Sequence, residues 1–325
     1  MKLIQRVSSL MNSIMNTVEA RIGRATAAVL RITLGLLWLS NLHWKRPADF
    51  GRTQGNGLFK YVNSAVVDPP VFRPYSSLVE HVILPNFHLF GWFSLMTEAL
   101  LAGALLVGWK TRWMALLGVV QSLAIGLSVI NYSKAYEWPW SYYLMIAAHL
   151  ALLGLGAGKV AGVDGLTRAT AHRGWTTGGI VAALAGVWAL IKMDGFNAPL
   201  GGLLGNTWGE LKFMRFNGLG ALVLLVIGGL ALAAGQTKRR ELGLAAAVLS
   251  ALVVVLGIVQ WRTTVTGVED GGLLGIEGGA IGFSLGLTLL FGQSWWLGAV
   301  PAAADSPSSD MATGARANDS SAVGK

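Results

Sequence analysis

The sequence predicts an all-α, polytopic transmembrane helical bundle of about eight spans in two four-helix halves, with an extracytoplasmic cap between spans 1 and 2. Three observations predict it. Of 325 residues, 53% are hydrophobic and only 13% charged, whereas soluble domains carry about a quarter charged residues. Mean hydropathy is +0.55. Apolar runs of roughly 20 residues recur along the chain, each long enough to cross the ~30 Å hydrocarbon layer as a helix.

Taken in order, residues 1–23 place Leu3, Val7, Leu10, Met11, Ile14, Met15 and Val18 at three- and four-residue spacing. That is the pattern of an amphipathic helix, lying on the membrane surface or packed on the bundle. No secretory signal pattern precedes Arg24, so the N-terminus is expected to be retained. Spans are predicted at 24–44, 87–109, 112–132, 138–158, 175–193, 217–235, 241–261 and 277–298. They divide into a first membrane domain, 24–166, and a second, 167–298. The stretch from 299 to 325 is rich in Ala, Ser, Asp and Gly, the composition of a disordered cytoplasmic tail.

Loop charge sets the orientation. Lys110 and Arg112, then Lys159, Arg168 and Arg173, then Lys238, Arg239 and Arg240 fall on the N-terminal side, against mainly Lys134 and Arg262 in the opposite short connections. The positive-inside bias therefore predicts a multi-pass protein of the cell membrane with both termini cytoplasmic. Topology also accounts for the net charge of +9 without a nucleic-acid partner. The connection 45–86 then lies outside, and its prolines and buried-type residues such as Phe50, Phe59 and Val66 suit a folded cap. Similar Gly and Lys/Arg turns at 108–112 and 235–240 hint at duplication, although any short cytoplasmic turn attracts those residues.

With no cysteine in the chain, disulfides, thiolate metal sites, iron–sulfur clusters and c-type haem attachment are excluded. His43, His81 and His88 lack metal-ligand spacing, so no metal is expected. Ionisable groups inside a span are costly and mark function or pairing. Counted from the cytoplasmic ends of their spans, Arg31 lies roughly 10 Å deep, Glu98 roughly 16 Å, and Gln121 and His149 roughly 14 Å. Four successive helices thus offer one polar layer. It reads either as a structural Arg31–Glu98 ion pair completed by Gln121 and His149, or as a ligand or proton-relay site in which Glu98 or His149 titrates and Arg31 holds negative charge. Arg31, Trp38, Asn41 and Lys45 share one helical face. Trp44, Lys45, Trp138, Trp140 and Tyr142 form either an interfacial aromatic belt or the approach for an aromatic or anionic molecule.

Three stretches of the first half resemble the DoxX/DoxD family of four-helix membrane proteins. They are Arg31, Gly35, Trp38 and Lys45; Glu98, Gly108, Thr111 and Arg112; and the run Trp138 to Tyr142 with His149, Gly156, Gly158, Lys159 and Asp164. The resemblance covers roughly 24–166. Some members carry an acidic residue where Trp140 stands here, so no carboxylate role passes to that position. The DoxD branch forms the membrane subunit of thiosulfate:quinone oxidoreductase. The resemblance therefore implies a quinone as cofactor, held by Arg31, Glu98, Gln121 and His149, with a small sulfur anion as donor and a second subunit as partner. Arg31, Glu98 and His149 would be the catalytic groups. A non-catalytic scaffold or small-molecule transporter is the alternative.

Overall fold

The computed structural model describes residues 2–67, 72–130, 139–192, 196–199, 210–262 and 272–299. The long helices are α1 (Lys2–Ser40), α4 (Phe87–Val107), α5 (Thr111–Val129), α6 (Pro139–Leu155), α7 (Ala171–Ile191), α8 (Gly218–Thr237), α9 (Arg240–Arg262) and α10 (Gly278–Ala299). Seven are long and apolar enough to cross a membrane, and α6 adds a shorter apolar stretch, Ser141–Leu155. The protein is therefore a multi-pass helical membrane bundle of about eight spans. The tail from 300 onward, including the segment read as disordered, lies outside the described residues.

Each half forms a ring. α1, α4, α5 and α6 pack in sequence with α6 returning to α1, and α7, α8, α9 and α10 repeat that order with α10 against α7. The halves join chiefly where α10 lies along α4. A Cβ on Gly103 would sit 2.7 Å from both the Gly282 carbonyl oxygen and the Gly286 amide nitrogen, so the small-xxx-small pair of α10 lets the two backbones touch. The same device joins α7 to α8, where a Cβ on Gly179 would lie 2.9 Å from Gly228 O. The Gly- and Ala-rich helices of the second half thus pack closely.

Two features depart from the sequence reading. The first 23 residues are no separate surface helix, because α1 runs unbroken from Lys2 to Ser40. Met11, Ile14, Met15, Val18 and Ile22 are exposed on it, and among its described side chains the first buried one is Ala27. Between α7 and α8, two short strands, β1 (Phe196–Pro199) and β2 (Glu210–Met214), pair antiparallel with an irregularity between Phe196 and Asn197. Pro199 stands at the end of β1, where a missing donor is tolerated.

The segment between α1 and α4 does fold as a cap. It contains α2 (Gly57–Val67), the short α3 (Arg73–Leu78) and a π-helical turn over Val79–Ile83. Phe50 anchors it by meeting Phe87, His88 and Trp92 edge-on. Tyr75 Oη donates to the Ala124 carbonyl at 2.9 Å and lies 2.7 Å from Ser128 Oγ, while Ser64 Oγ donates to Ser128 O at 2.6 Å. Burial pushes the Tyr75 phenol above its ordinary value, with the Ser128 contact opposing it.

Candidate functional site in the first half

The α4–α5 corner explains how one cluster forms. Gly108 ends α4 at φ +70°, and Trp109 N donates back to Ala104 O at 2.8 Å, the closure that a left-handed residue permits. Lys110 provides no side-chain cap for α5. Asp164, from the α6–α7 connection, does so instead, its two oxygens accepting from the amides of Lys110 (2.7 Å) and Thr111 (2.9 Å). A remote carboxylate at a helix N-terminus both satisfies free amides and meets the helix dipole.

Arg31 belongs to this corner. Fully buried, it donates from Nη2 to Ala161 O at 2.9 Å and from Nη1 to Ala157 O at 3.4 Å, and Asp164 is the opposite charge acting on it. Any Cβ on Gly108 or Gly162 would overlap Nη1. The expected Arg31–Glu98 pair is therefore not formed. Asn41, which does reach Glu98, stands just past the end of α1, about ten residues or roughly 15 Å beyond Arg31. Arg31 is level with the end of α4, because the helix that carries it continues well beyond residue 24. It has no place beside Glu98, Gln121 and His149.

Glu98 pairs with Lys45. Nζ lies 2.5 Å from Oε2, with side chains 1% and 0% exposed. Asn41 Nδ2 donates to the same oxygen at 3.0 Å. Gln121 Nε2 donates to Oε1 at 3.0 Å, and Ser94 Oγ donates to it at 3.4 Å. Lys45 also donates to Asn41 O at 3.1 Å and stands 4.1 Å over the Trp44 ring. The chain leaves α1 at Ser40 and coils through 41–44, which folds Lys45 back into the bundle. Trp44 Nε1 donates to Asn41 Oδ1 at 2.9 Å, fixing the Asn41 amide so that its NH2 faces Glu98.

His149 forms a separate tier below. Trp38 Nε1 donates to His149 Nε2 at 3.1 Å, and His149 Nδ1 lies 2.7 Å from Met145 O. An indole N–H can only donate, so Nε2 must accept and the proton must sit on Nδ1. The ring is thus held as one neutral tautomer. Gly118 leaves it room, since a Cβ there would overlap the imidazole.

Beside the Trp38 tier lies a cavity of about 320 Å³, walled by α1 and the turn after it, α5 and α6. Trp38, Ser40, Asn41 and Trp44 line one side, and Ser122, Ile125 and Tyr142 the other. Ser122 is 2% exposed, and its hydroxyl has no hydrogen-bond partner among the described residues. An aromatic wall with a few aimed polar groups is the usual make-up of a small-molecule pocket.

Of the sequence-predicted residues, Glu98, Gln121 and Lys45 meet directly, His149 reaches the cavity through Trp38, and Arg31 stands apart. Trp44 and Tyr142 line the cavity. Trp138 and the side chain of Trp140 lie outside the described residues. Asn41 and Trp38 were visible as one stripe with Lys45, but Ser122 was not singled out, and an isolated serine in an apolar helix gives no signal. Among the described residues no three His, Asp or Glu groups could hold a metal ion. Comparison of the chain with family models, curated proteins and solved structures returned no match.

Proposed function

We propose that the protein is an integral membrane subunit of a quinone-linked oxidoreductase, with the quinone head seated between α1, α5 and α6. The carrying observation is the buried, unpartnered Ser122 hydroxyl in the wall of an aromatic cavity. It is a donor placed for a carbonyl oxygen. When bound, the quinone supplies two-electron, two-proton redox capacity. Ser122 would orient the head, the rings of Trp38, Trp44 and Tyr142 would enclose it, and His149 would hold Trp38 in position. Asn41 would connect the cavity to the Glu98 carboxylate, whose charge Lys45 balances.

The cavity suits a neutral head better than an anion, since Lys45 already engages Glu98, Asn41 and Trp44. The thiosulfate suggested by the DoxD resemblance is therefore assigned to a second subunit, which would also deliver the electrons. In this reading the protein sits in the cell membrane with both termini cytoplasmic. A non-catalytic scaffold or transporter is the second reading. It is favoured by the complete hydrogen bonding of Glu98, as expected of a pair that only fixes helix register.

The test is thiosulfate-dependent quinone reduction in membranes with the protein, without it, and with Ser122→Ala at matched accumulation. Loss without the protein, with a quinone KM raised roughly fivefold in Ser122→Ala, the worth of about one hydrogen bond, is expected. Equal activity in all three samples overturns the reading.

A further inference from the structure

A second groove lies at the other end of the molecule, in the half that holds no buried charge pair among its described residues. It runs between the first turns of α9 and the last turns of α10, and encloses about 490 Å³ between Arg240, Glu241, Leu244, Ala245, Val248 and Trp295. The Arg240 stem lies across Gly298, where a Cβ would be 3.4 Å from Cδ. A bulkier residue there would crowd the stem.

The groove changes character along its length. At its mouth stands Arg240, directly preceded in the chain by Lys238 and Arg239, all three exposed and in no ion pair among the described residues, against the single carboxylate of Glu241. Four and eight residues further along α9, roughly 6 and 12 Å deeper, Leu244 and Val248 are 41% and 49% exposed, so the walls become purely apolar. Trp295 stands at the transition, where an indole favours the boundary between headgroups and hydrocarbon.

We propose that this groove is a binding site for an anionic phospholipid, its phosphate at Arg240 and one acyl chain along Leu244, Ala245 and Val248. The excess of cations over carboxylate selects a headgroup with net negative charge. The apolar walls select a lipid over a free anion, because only a lipid fills both parts. The site is independent of the quinone reading and needs no residue of the first half.

The test is native mass spectrometry of the full chain released from mixed micelles containing phosphatidylcholine with phosphatidylglycerol or phosphatidylethanolamine. Retention of phosphatidylglycerol over phosphatidylcholine is expected, weakened about fivefold by Arg240→Gln, since one basic residue near a membrane surface is worth roughly that factor. Ala245→Trp, which fills the groove and leaves every charge in place, must abolish the preference too. Inorganic phosphate in millimolar excess must fail to displace the lipid. Preference surviving Ala245→Trp would reduce the effect to general surface charge and overturn the site. Displacement by phosphate, or a phosphatidylethanolamine preference lost in Glu241→Gln, would overturn the assigned ligand.

Discussion

The Lys45 ammonium and the Glu98 carboxylate meet at 2.5 Å with almost no surface exposed to solvent. Removing one charge leaves the other buried and uncompensated, which typically costs about 3–5 kcal/mol. Glu98→Gln and Lys45→Met should each lower thermal stability and accumulation. The double variant Lys45→Met/Glu98→Gln should recover most of the loss, because the amide keeps the Asn41 side. A thermal-denaturation double-mutant cycle gives the coupling, and additive losses would show that the pair is not energetically linked.

Gly108 and Gly55 both have positive φ, +70° and +62°, yet only Gly108 faces Arg31, whereas a Cβ on Gly55 meets nothing within 4 Å. Alanine at Gly55 should cost about 1 kcal/mol of backbone strain. At Gly108 it should cost several times more, through displacement of the guanidinium. Melting temperatures of the two variants compare the terms directly, and equal losses would remove steric control from the Arg31 corner.

The Trp38 indole and the Met145 carbonyl together fix the tautomer of His149. Nitrogen-15 NMR of labelled protein should show the proton on Nδ1 in the wild type. In Trp38→Phe the Met145 carbonyl still accepts from Nδ1, so the proton should stay there and only the Nε2 resonance, freed of the indole donor, should shift. Protonation at Nε2 in the wild type would contradict the hydrogen-bond assignment.

Gly103 and Gly229 sit in equally apolar helices but differ in surroundings, since a Cβ on Gly229 meets nothing within 4 Å. Gly103→Leu should force α4 off α10 and lower resistance to detergent unfolding, while Gly229→Leu should leave it unchanged. Matching stability in the two variants would mean that the halves are held elsewhere.

Asp49 lies in the cap, where burial would raise its carboxyl but the amide and hydroxyl of Thr53 and the amide of Gly51 outweigh that and hold it below its ordinary value. A depressed folded-state value contributes stability above the unfolded value near 3.8, and that contribution is lost as pH falls through the folded one. Hydrogen exchange over 49–56 should therefore accelerate below about pH 4. Asp49→Asn should flatten that response.

The spans were legible because hydropathy and helix length act locally; predicted 87–109 became Phe87–Val107 and 217–235 became Gly218–Thr237. The partner of Glu98 was not. Depth was counted from a span start at residue 24, but α1 has no boundary there, so Arg31 was placed too deep by this count. Lys45 looked like an interfacial anchor because its return into the bundle depends on the turn at 41–44, a tertiary event with no periodic signature. The β1–β2 ribbon was hidden for a similar reason, as its strands are short and flanked by Gly and Pro.

The cap is fastened to α5 at Ala124 and Ser128, and the same helix offers Ser122 and Ile125 to the cavity. Cap and cavity wall therefore hang from one beam. Displacing the cap pulls on the helical turn that shapes that wall, so the two shift as a single movement.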